Sequence, residues 1–210
     1  NNNNFSSDEY GVLFDKDKNI LIQYPNGNAR TSYTIPKSVK SIGASAFSSA
    51  NNLTTVTFAQ DSQLDSIGAF AFNDAKNLNS ITMPAYVKSI GNNAFANATS
   101  LSSIKIPASV TSIGKYAFYQ ASGLTTVTFA QDSQLMNIED FAFSGPNMLT
   151  SIEIPNTVTN IGNSAFEEAT SLTEVKFTPG SQLTSIGDNA FFGVTKLKSI
   201  LIPASVTSIG

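Results

Sequence analysis

The stretch that decides the fold is Leu101-Ser-Ser-Ile-Lys-Ile-Pro-Ala-Ser-Val-Thr-Ser-Ile-Gly-Lys-Tyr-Ala-Phe118, because its pattern recurs along almost the whole chain. The isoleucine before Gly114 and its seven equivalents are separated by 25, 23, 23, 25, 23, 25 and 23 residues. A fixed period of this length indicates one short unit stacked on copies of itself in a solenoid. The eight isoleucines are Ile42, Ile67, Ile90, Ile113, Ile138, Ile161, Ile186 and Ile209.

The first part of each unit reads L-x-x-I-x-I, which is the pattern of a leucine-rich repeat. Side chains two apart on a strand share a face, so Ile104 and Ile106 point inward while Lys105 points outward. We expect about eight such strands to run parallel on the concave face of a right-handed, mostly β solenoid. They end at Ile35, Phe58, Met83, Ile106, Phe129, Ile154, Phe177 and Ile202.

The rest of the unit predicts turns and a second strand. Proline ends the strand in the shorter units, and a looser loop replaces it in the longer ones, at residues 59–63, 130–134 and 178–182. The Val-x-x-Ile-Gly segment predicts a second short extended piece, with the Gly in a tight turn. The Ala-Phe pair that follows predicts a short turn or 3₁₀ helix whose phenylalanines stack in a column.

The chain divides into residues 1–29 and residues 30–210. Two apolar runs, 10–14 and 20–24, flank the polar turn 15–19 and predict a β-hairpin that caps the first coil. The solenoid then holds about eight units, the last of them incomplete at Gly210, as expected of a piece of a longer protein. One 23-residue unit cannot bury enough apolar surface to fold alone, so the stacked units share one core.

The composition narrows the classes of function. The 210 residues include no Cys, His or Trp, only 13% are charged, and the net charge is −3. The charge argues against nucleic-acid binding, and no apolar run is long enough to span a membrane. The missing side chains leave few ways to activate a nucleophile or hold a cofactor or metal. We therefore predict no enzymatic activity and no cofactor. A hydrolase that uses carboxylates alone is the one catalytic class left open.

Two surfaces are candidates for binding a partner. The first is the outward column of the strands, which is rich in hydroxyls and becomes charged toward the C-terminal half; the second is a flank of aromatic side chains two residues before the phenylalanine column. Both have simpler interpretations, since Thr and Ser keep exposed strands soluble and aromatic side chains can fold over loops. The candidate residues are Thr57, Thr82, Lys105, Thr128, Glu153, Glu174 and Lys176 on the strands, and Phe70, Tyr116 and Phe141 on the flank.

Three narrower sites are disfavoured. Asp15-x-Asp17-x-Asn19 resembles the start of a calcium loop, but Ile20 and Asn26 stand where that loop needs Gly and Glu. The Thr-x-Thr motifs suggest ice binding, yet charged residues interrupt the ladder. Carbohydrate binding would predict aromatic platforms on the concave face, where only Tyr33 is near and its side chain faces inward by period.

The full pattern L-x-x-I-x-[IF]-P-x-x-V-x-x-I-G-x-x-A-F resembles the BspA-like class of leucine-rich repeats, found in cell-surface proteins of bacteria and some protists. The resemblance covers residues 10–210. It implies an exported, non-catalytic protein that binds extracellular or cell-surface proteins, as adhesins do. No binding residues are defined for the family, so none are transferred. The alternative is a structural spacer, or a repeat array that associates weakly end to end and projects another domain from the cell surface.

Overall fold

The computed structural model describes residues 2–145 and 148–210. Each repeated unit forms one coil of a β-solenoid, and parallel strand pairs join neighbouring coils, continuously in one row of strands and with two interruptions among the described residues of the other. Over the described residues, strands and turns build each coil and no helix occurs. The leucine-rich-repeat solenoid predicted from the sequence is confirmed.

The L-x-x-I-x-I segments form one row of strands, called here the outer strand row. Within it, Lys105 is exposed between the buried Ile104 and Ile106, as the two-residue period predicts. Two of the eight expected strands differ: the strand expected to end at Met83 ends at Ile81, and the strand expected to end at Ile202 is not formed, with Leu201 88% exposed. The row consists of β4 Ser32–Ile35, β6 Thr55–Phe58, β8 Ser80–Ile81, β10 Ser103–Ile106, β12 Thr126–Phe129, β14 Ser151–Ile154 and β16 Glu174–Phe177.

The Val-x-x-Ile-Gly segments form the continuous sheet of the molecule. Among the described residues it has eleven strands, which neighbour one another in chain order; the three N-terminal strands pair antiparallel and every later neighbour is parallel. The N-terminal strands are β1 Phe5–Ser7, β2 Leu13–Asp15 and β3 Ile20–Gln23. The strands from the coils are β5 Ser41–Ile42, β7 Ser66–Ile67, β9 Ser89–Ile90, β11 Ser112–Ile113, β13 Asn137–Ile138, β15 Asn160–Ile161, β17 Ser185–Ile186 and β18 Ser208–Ile209.

The N-terminal segment extends this sheet over the first coil. Strands β2 and β3 form the predicted antiparallel hairpin, and β3 pairs in parallel with β5. An additional strand, β1, pairs antiparallel with β2. The hairpin thus supplies hydrogen bonds to a sheet edge that would otherwise be open.

The phenylalanines form a column through the core. Seven rings, from Phe47 to Phe191, stack with centroids 4.9–5.5 Å apart and planes within 10° of parallel. They lie on turns rather than on the 3₁₀ helix that the sequence also allowed. Tyr24 continues the column into the cap, 5.3 Å from Phe47.

The glycine that follows the sheet Ile in every coil except that of Ile138 serves close packing rather than a tight turn. Gly91 and its equivalents in the coils do not have positive φ. A Cβ added at Gly91 would lie 2.6 Å from the Ala69 nitrogen of the preceding coil. The small residue therefore lets one backbone approach the next.

Candidate protein-binding surfaces

The exposed side chains of the outer strand row form the first candidate surface, called here the outer strand face. Parallel register places Thr57 beside Thr34 and Lys105 beside Thr128. The Thr34 and Thr57 hydroxyls are 2.8 Å apart, and one donates to the other. Thr82 is also exposed and lies one coil further along. The structure therefore places these predicted residues on one face.

The charged part of this face contains an ion pair within one strand. Glu153 lies directly opposite Lys176 on the neighbouring strand. The Lys176 ammonium instead bonds the Glu174 carboxylate of its own strand at 2.9 Å. The Lys176 and Glu174 side chains are two residues apart on the same side of the strand, and they are 61% and 50% exposed. Glu153 has no ion pair with any described residue.

The second candidate surface is the aromatic flank, formed by Phe70, Tyr116, Tyr119 and Phe141. The rings of Tyr116 and Phe141, on adjacent coils, stack with centroids 4.7 Å apart and planes 3° from parallel. Tyr119 meets Tyr116 edge-on at 5.5 Å. Phe70 lies two coils away and is 43% exposed. The structure thus brings Tyr116 and Phe141 together and leaves Phe70 apart.

The backbone of the flank is in an unusual conformation for large side chains. Phe70, Tyr116 and Phe141 have φ of 58°, 58° and 56°, in the left-handed region. Other coils place Ser45, Asn93, Ser164 or Asn189 at this position, also with positive φ. Short polar residues tolerate this region better than bulky ones, which lose about 1–2 kcal/mol there. The conformation aims each N–H at the next coil, as from Tyr116 to the Asp140 carbonyl at 3.0 Å.

An ion pair borders the stacked rings. The Lys115 ammonium bonds the Asp140 carboxylate at 2.9 Å, each residue immediately preceding one of the two aromatics. The hydrogen bond from Lys115 holds the pKa of the Asp140 carboxyl below its ordinary value, and the same bond raises the pKa of Lys115. The other Asp140 oxygen accepts from the Asn163 N–H at 2.9 Å, which fixes the carboxylate. The flank therefore combines an apolar stack with an oriented charge pair.

Sequence reasoning missed a third feature, a cleft beside each long loop. Each cleft lies between the loop of a longer unit and the proline turn of the next coil. Cleft A is lined by Phe58, Asp61 and Pro84, and cleft B by Phe129, Asp132 and Pro155. Cleft C is lined by Phe177, Gly180 and Pro203.

A signal for these clefts is present in the sequence. The strand that precedes each long loop ends in Phe, whereas the strands before the proline turns end in Ile or Met. Ile106 and Ile154 are buried, but Phe58, Phe129 and Phe177 are only partly buried. The longer unit therefore exposes part of an aromatic ring at the edge of the outer strand face.

No group of three or more acidic residues within residues 2–145 and 148–210 is arranged to hold a metal ion. Asp15 of the calcium-like motif instead accepts a hydrogen bond from the Ile20 N–H at 2.8 Å and closes the hairpin turn. None of the described segments is a helix long and apolar enough to cross a lipid bilayer.

The stacked coils with their L-x-x-I-x-I strands define the chain as a leucine-rich-repeat protein. A family model described as "BspA type Leucine rich repeat region", with six copies, matches residues 24–134 and 89–210. The chain belongs to this BspA-type leucine-rich-repeat family. No curated protein sequence matches it.

Solved bacterial structures share the fold. A leucine-rich repeat protein from Eubacterium ventriosum superposes with a TM-score of 0.68 at 27% identity, over 100% of this chain and 49% of that one. The T. pallidum leucine-rich repeat protein gives 0.63 at 20% identity, over 90% and 87%. The pneumococcal vaccine antigen PcpA gives 0.51 at 21%, over 96% and 56%. The chain thus spans about half the length of the E. ventriosum protein.

Proposed function

We propose that this chain is a non-catalytic, adhesion-type module that binds extracellular or cell-surface proteins through its outer strand face and aromatic flank. The observation that carries the proposal is the aromatic flank. Three bulky side chains occupy left-handed positions where other coils use Ser or Asn, and two of them stack across coils at the surface. Packing of the core does not require them, since the equivalent coils form without them.

The scaffold suits polyvalent contact. Its strands hold the outward side chains in register at a spacing of about 4.8 Å per coil. Ordered side chains lose little entropy when a partner docks, so many weak contacts can add up. Family membership supports an interaction role of this kind and location at the cell surface.

Binding to an immobilised panel of purified extracellular-matrix proteins tests the proposal. The chain is compared with a variant in which Lys105, Glu153 and Lys176 are each replaced by Thr, the residue that other coils carry in this column. We expect at least one matrix protein to bind, and the variant to bind it more weakly with an unchanged unfolding temperature.

The alternative is a spacer or self-associating array. It is favoured by the near-exact copying of units: residues 53–64 recur letter for letter at 124–135, exposed positions included. A spacer predicts no binding to any panel member. It also predicts that deleting one pair of coils shortens the molecule by the length of those coils and changes nothing else. An array predicts sedimentation that depends on concentration.

A further inference from the structure

We propose that clefts A and B bind two arginine side chains of one extended, cationic segment of a protein partner. This inference rests on the proposed function and names the chemistry of the partner segment. It concerns the edge of the outer strand face, next to the long loops.

The two clefts share the same strand and loop because one sequence occurs in both. Residues 53–64 and 124–135 are identical, and each copy places a partly buried Phe and an exposed Asp in its cleft. The proline of the next coil, Pro84 or Pro155, completes the wall. The cleft volumes are about 460 Å³ and about 540 Å³. This size is within the range of sites that enclose small ligands, so a single side chain fits.

The charge of the clefts selects a cation. The described lining of cleft A contains one acidic residue, Asp61, and that of cleft B contains two, Asp132 and Glu153; neither contains Lys or Arg. None of these three carboxylates is in an ion pair with a described residue. An arriving cation therefore gains a partner without breaking an existing pair.

The apolar surface of the clefts favours arginine over lysine. A guanidinium is planar and more weakly hydrated than an ammonium, and it stacks on aromatic faces while its N–H groups reach a carboxylate. Phe58 with Asp61, and Phe129 with Asp132, supply this combination of a ring and an acid. Cleft C has Gly180 in place of the Asp and includes Lys176, so it lacks the same preference.

The spacing of the clefts indicates an extended segment. Three coil steps separate β6 from β12, which corresponds to about 14 Å at the usual strand spacing. An extended chain covers this distance in about four residues. One segment with arginines about four residues apart can therefore occupy both clefts, and the second contact is then intramolecular.

Each cleft has lysines near its margin. The loop at Asp61 also borders a groove that contains Lys40, Lys88 and Asp65, and Glu153, which lines cleft B with Asp132, lies opposite Lys176 of the next strand. We therefore expect the two clefts to attract a cation about equally.

The test uses the full chain and capped Gly/Ser/Thr peptides, followed by amide chemical shifts in NMR titrations. The probe peptide has two arginines about four residues apart. Control peptides have the two arginines adjacent, two lysines at the probe spacing, or two glutamates. The protein variants are D61N, D132N and the double variant; Asn tolerates the positive φ at both positions. The matched control is D74N, the same change at a positive-φ Asp on the opposite turn.

We expect the probe to shift the amides of residues 60–62 and 131–133, and to bind more tightly than each control peptide. D132N and D61N should each weaken binding about two- to fivefold, whereas D74N should have no effect. Raising the ionic strength from about 0.1 M to about 1 M should also weaken binding.

Three results would overturn the inference: shifts located elsewhere, equal affinity for the probe and the adjacent-arginine peptide, or equal effects of D132N and D74N. If the chain binds a matrix protein but does not bind the probe peptide, this inference is contradicted and the proposed function still holds. Probe binding in the clefts without any matrix-protein binding would support the clefts and contradict the proposed function.

Discussion

The ring of Phe118 stacks on that of Phe95 with centroids 5.3 Å apart and planes 2° from parallel. The two residues are 23 positions apart in the sequence, which is one coil. Phe143 covers the other face of Phe118 at 5.1 Å. Each ring in the middle of the column thus makes its main contacts with neighbouring coils, so the coils stabilise one another.

Replacing Phe118 with Ala should lower the free energy of unfolding by about 3–5 kcal/mol, because it removes a buried ring and leaves a cavity between two others. Urea unfolding followed by circular dichroism measures the change. Lys105→Ala, an exposed substitution, is the control and should shift stability by no more than about 0.5 kcal/mol. Similar small effects for the two variants would contradict a core that depends on registered rings.

Replacing Gly91 with Ala should lower stability by about 1–3 kcal/mol, because the new methyl group would lie 2.6 Å from the Ala69 nitrogen and push two coils apart. The cost stays within this range because Glu139 occupies the equivalent position in one coil, which shows that the backbone can adjust. Gly27→Ala is the matched control, since a Cβ there meets no atom within 4 Å. A neutral result at Gly91 would show that close backbone approach is not the reason for the glycine.

Replacing Tyr24 with Phe should raise the free energy of unfolding by about 1 kcal/mol. The Tyr24 hydroxyl is buried and has no hydrogen-bond partner among the described residues, so its removal relieves a desolvation cost. The ring itself remains on Phe47. The opposite outcome is expected for Tyr33→Phe, because the Tyr33 hydroxyl donates to the Asp8 carboxylate at 2.7 Å. A loss of stability in Tyr24→Phe would reveal a partner for this hydroxyl.

Alkaline pH should unfold the N-terminal cap first. Burial raises the pKa of Tyr33 far above its ordinary value of 10.0, and the hydrogen bond and charge of Asp8 raise it further. The unfolded chain therefore loses this proton near pH 10.0 while the folded chain keeps it. The contribution of Tyr33 to the free energy of unfolding is therefore fully present below pH 10.0, and it decreases as the pH rises above that value.

Tyrosinate absorbance and hydrogen exchange, recorded together during an alkaline titration, measure this effect. Exchange should accelerate in strands β1 to β3 before it accelerates in the later coils. The Tyr33→Phe variant should lose less stability above pH 10.0 than the parent chain. Simultaneous opening of all coils in both proteins would contradict a role for Tyr33.

Much of the fold could be predicted because the period is explicit in the sequence. The register of Ile104 and Ile106 against their equivalents follows from the spacing alone, as does the column through Phe95 and Phe118. The hairpin was predictable as well, since its polar turn separates two apolar runs. Only β1 had no comparable signal: its sequence, Phe-Ser-Ser, carries little apolar pattern.

The turns could not be predicted in detail because contacts between coils decide them. The Ala-Phe segment allows a helical turn, but left-handed residues such as Tyr116 direct N–H groups to the next coil instead. The ion-pair partner of Lys176 could not be predicted either, because two carboxylates, Glu153 and Glu174, lie near it. For the candidate surfaces, the sequence indicated which side chains face outward. It gave no measure of the conformational cost at Phe70, Tyr116 and Phe141.

In the proposed function, Tyr116 and Phe141 serve binding rather than folding. The most direct test measures unfolding and matrix-protein binding together in the double variant Tyr116→Asn/Phe141→Asn, which carries the residue found at positions 93 and 189. Asn tolerates the left-handed φ better than Tyr or Phe, and this gain should roughly offset the lost ring stacking. We therefore predict a free energy of unfolding within about 1 kcal/mol of that of the parent chain. Affinity for the matrix protein that binds the parent chain should fall at least about tenfold. Unchanged affinity, or a large loss of stability with binding retained, would contradict the account.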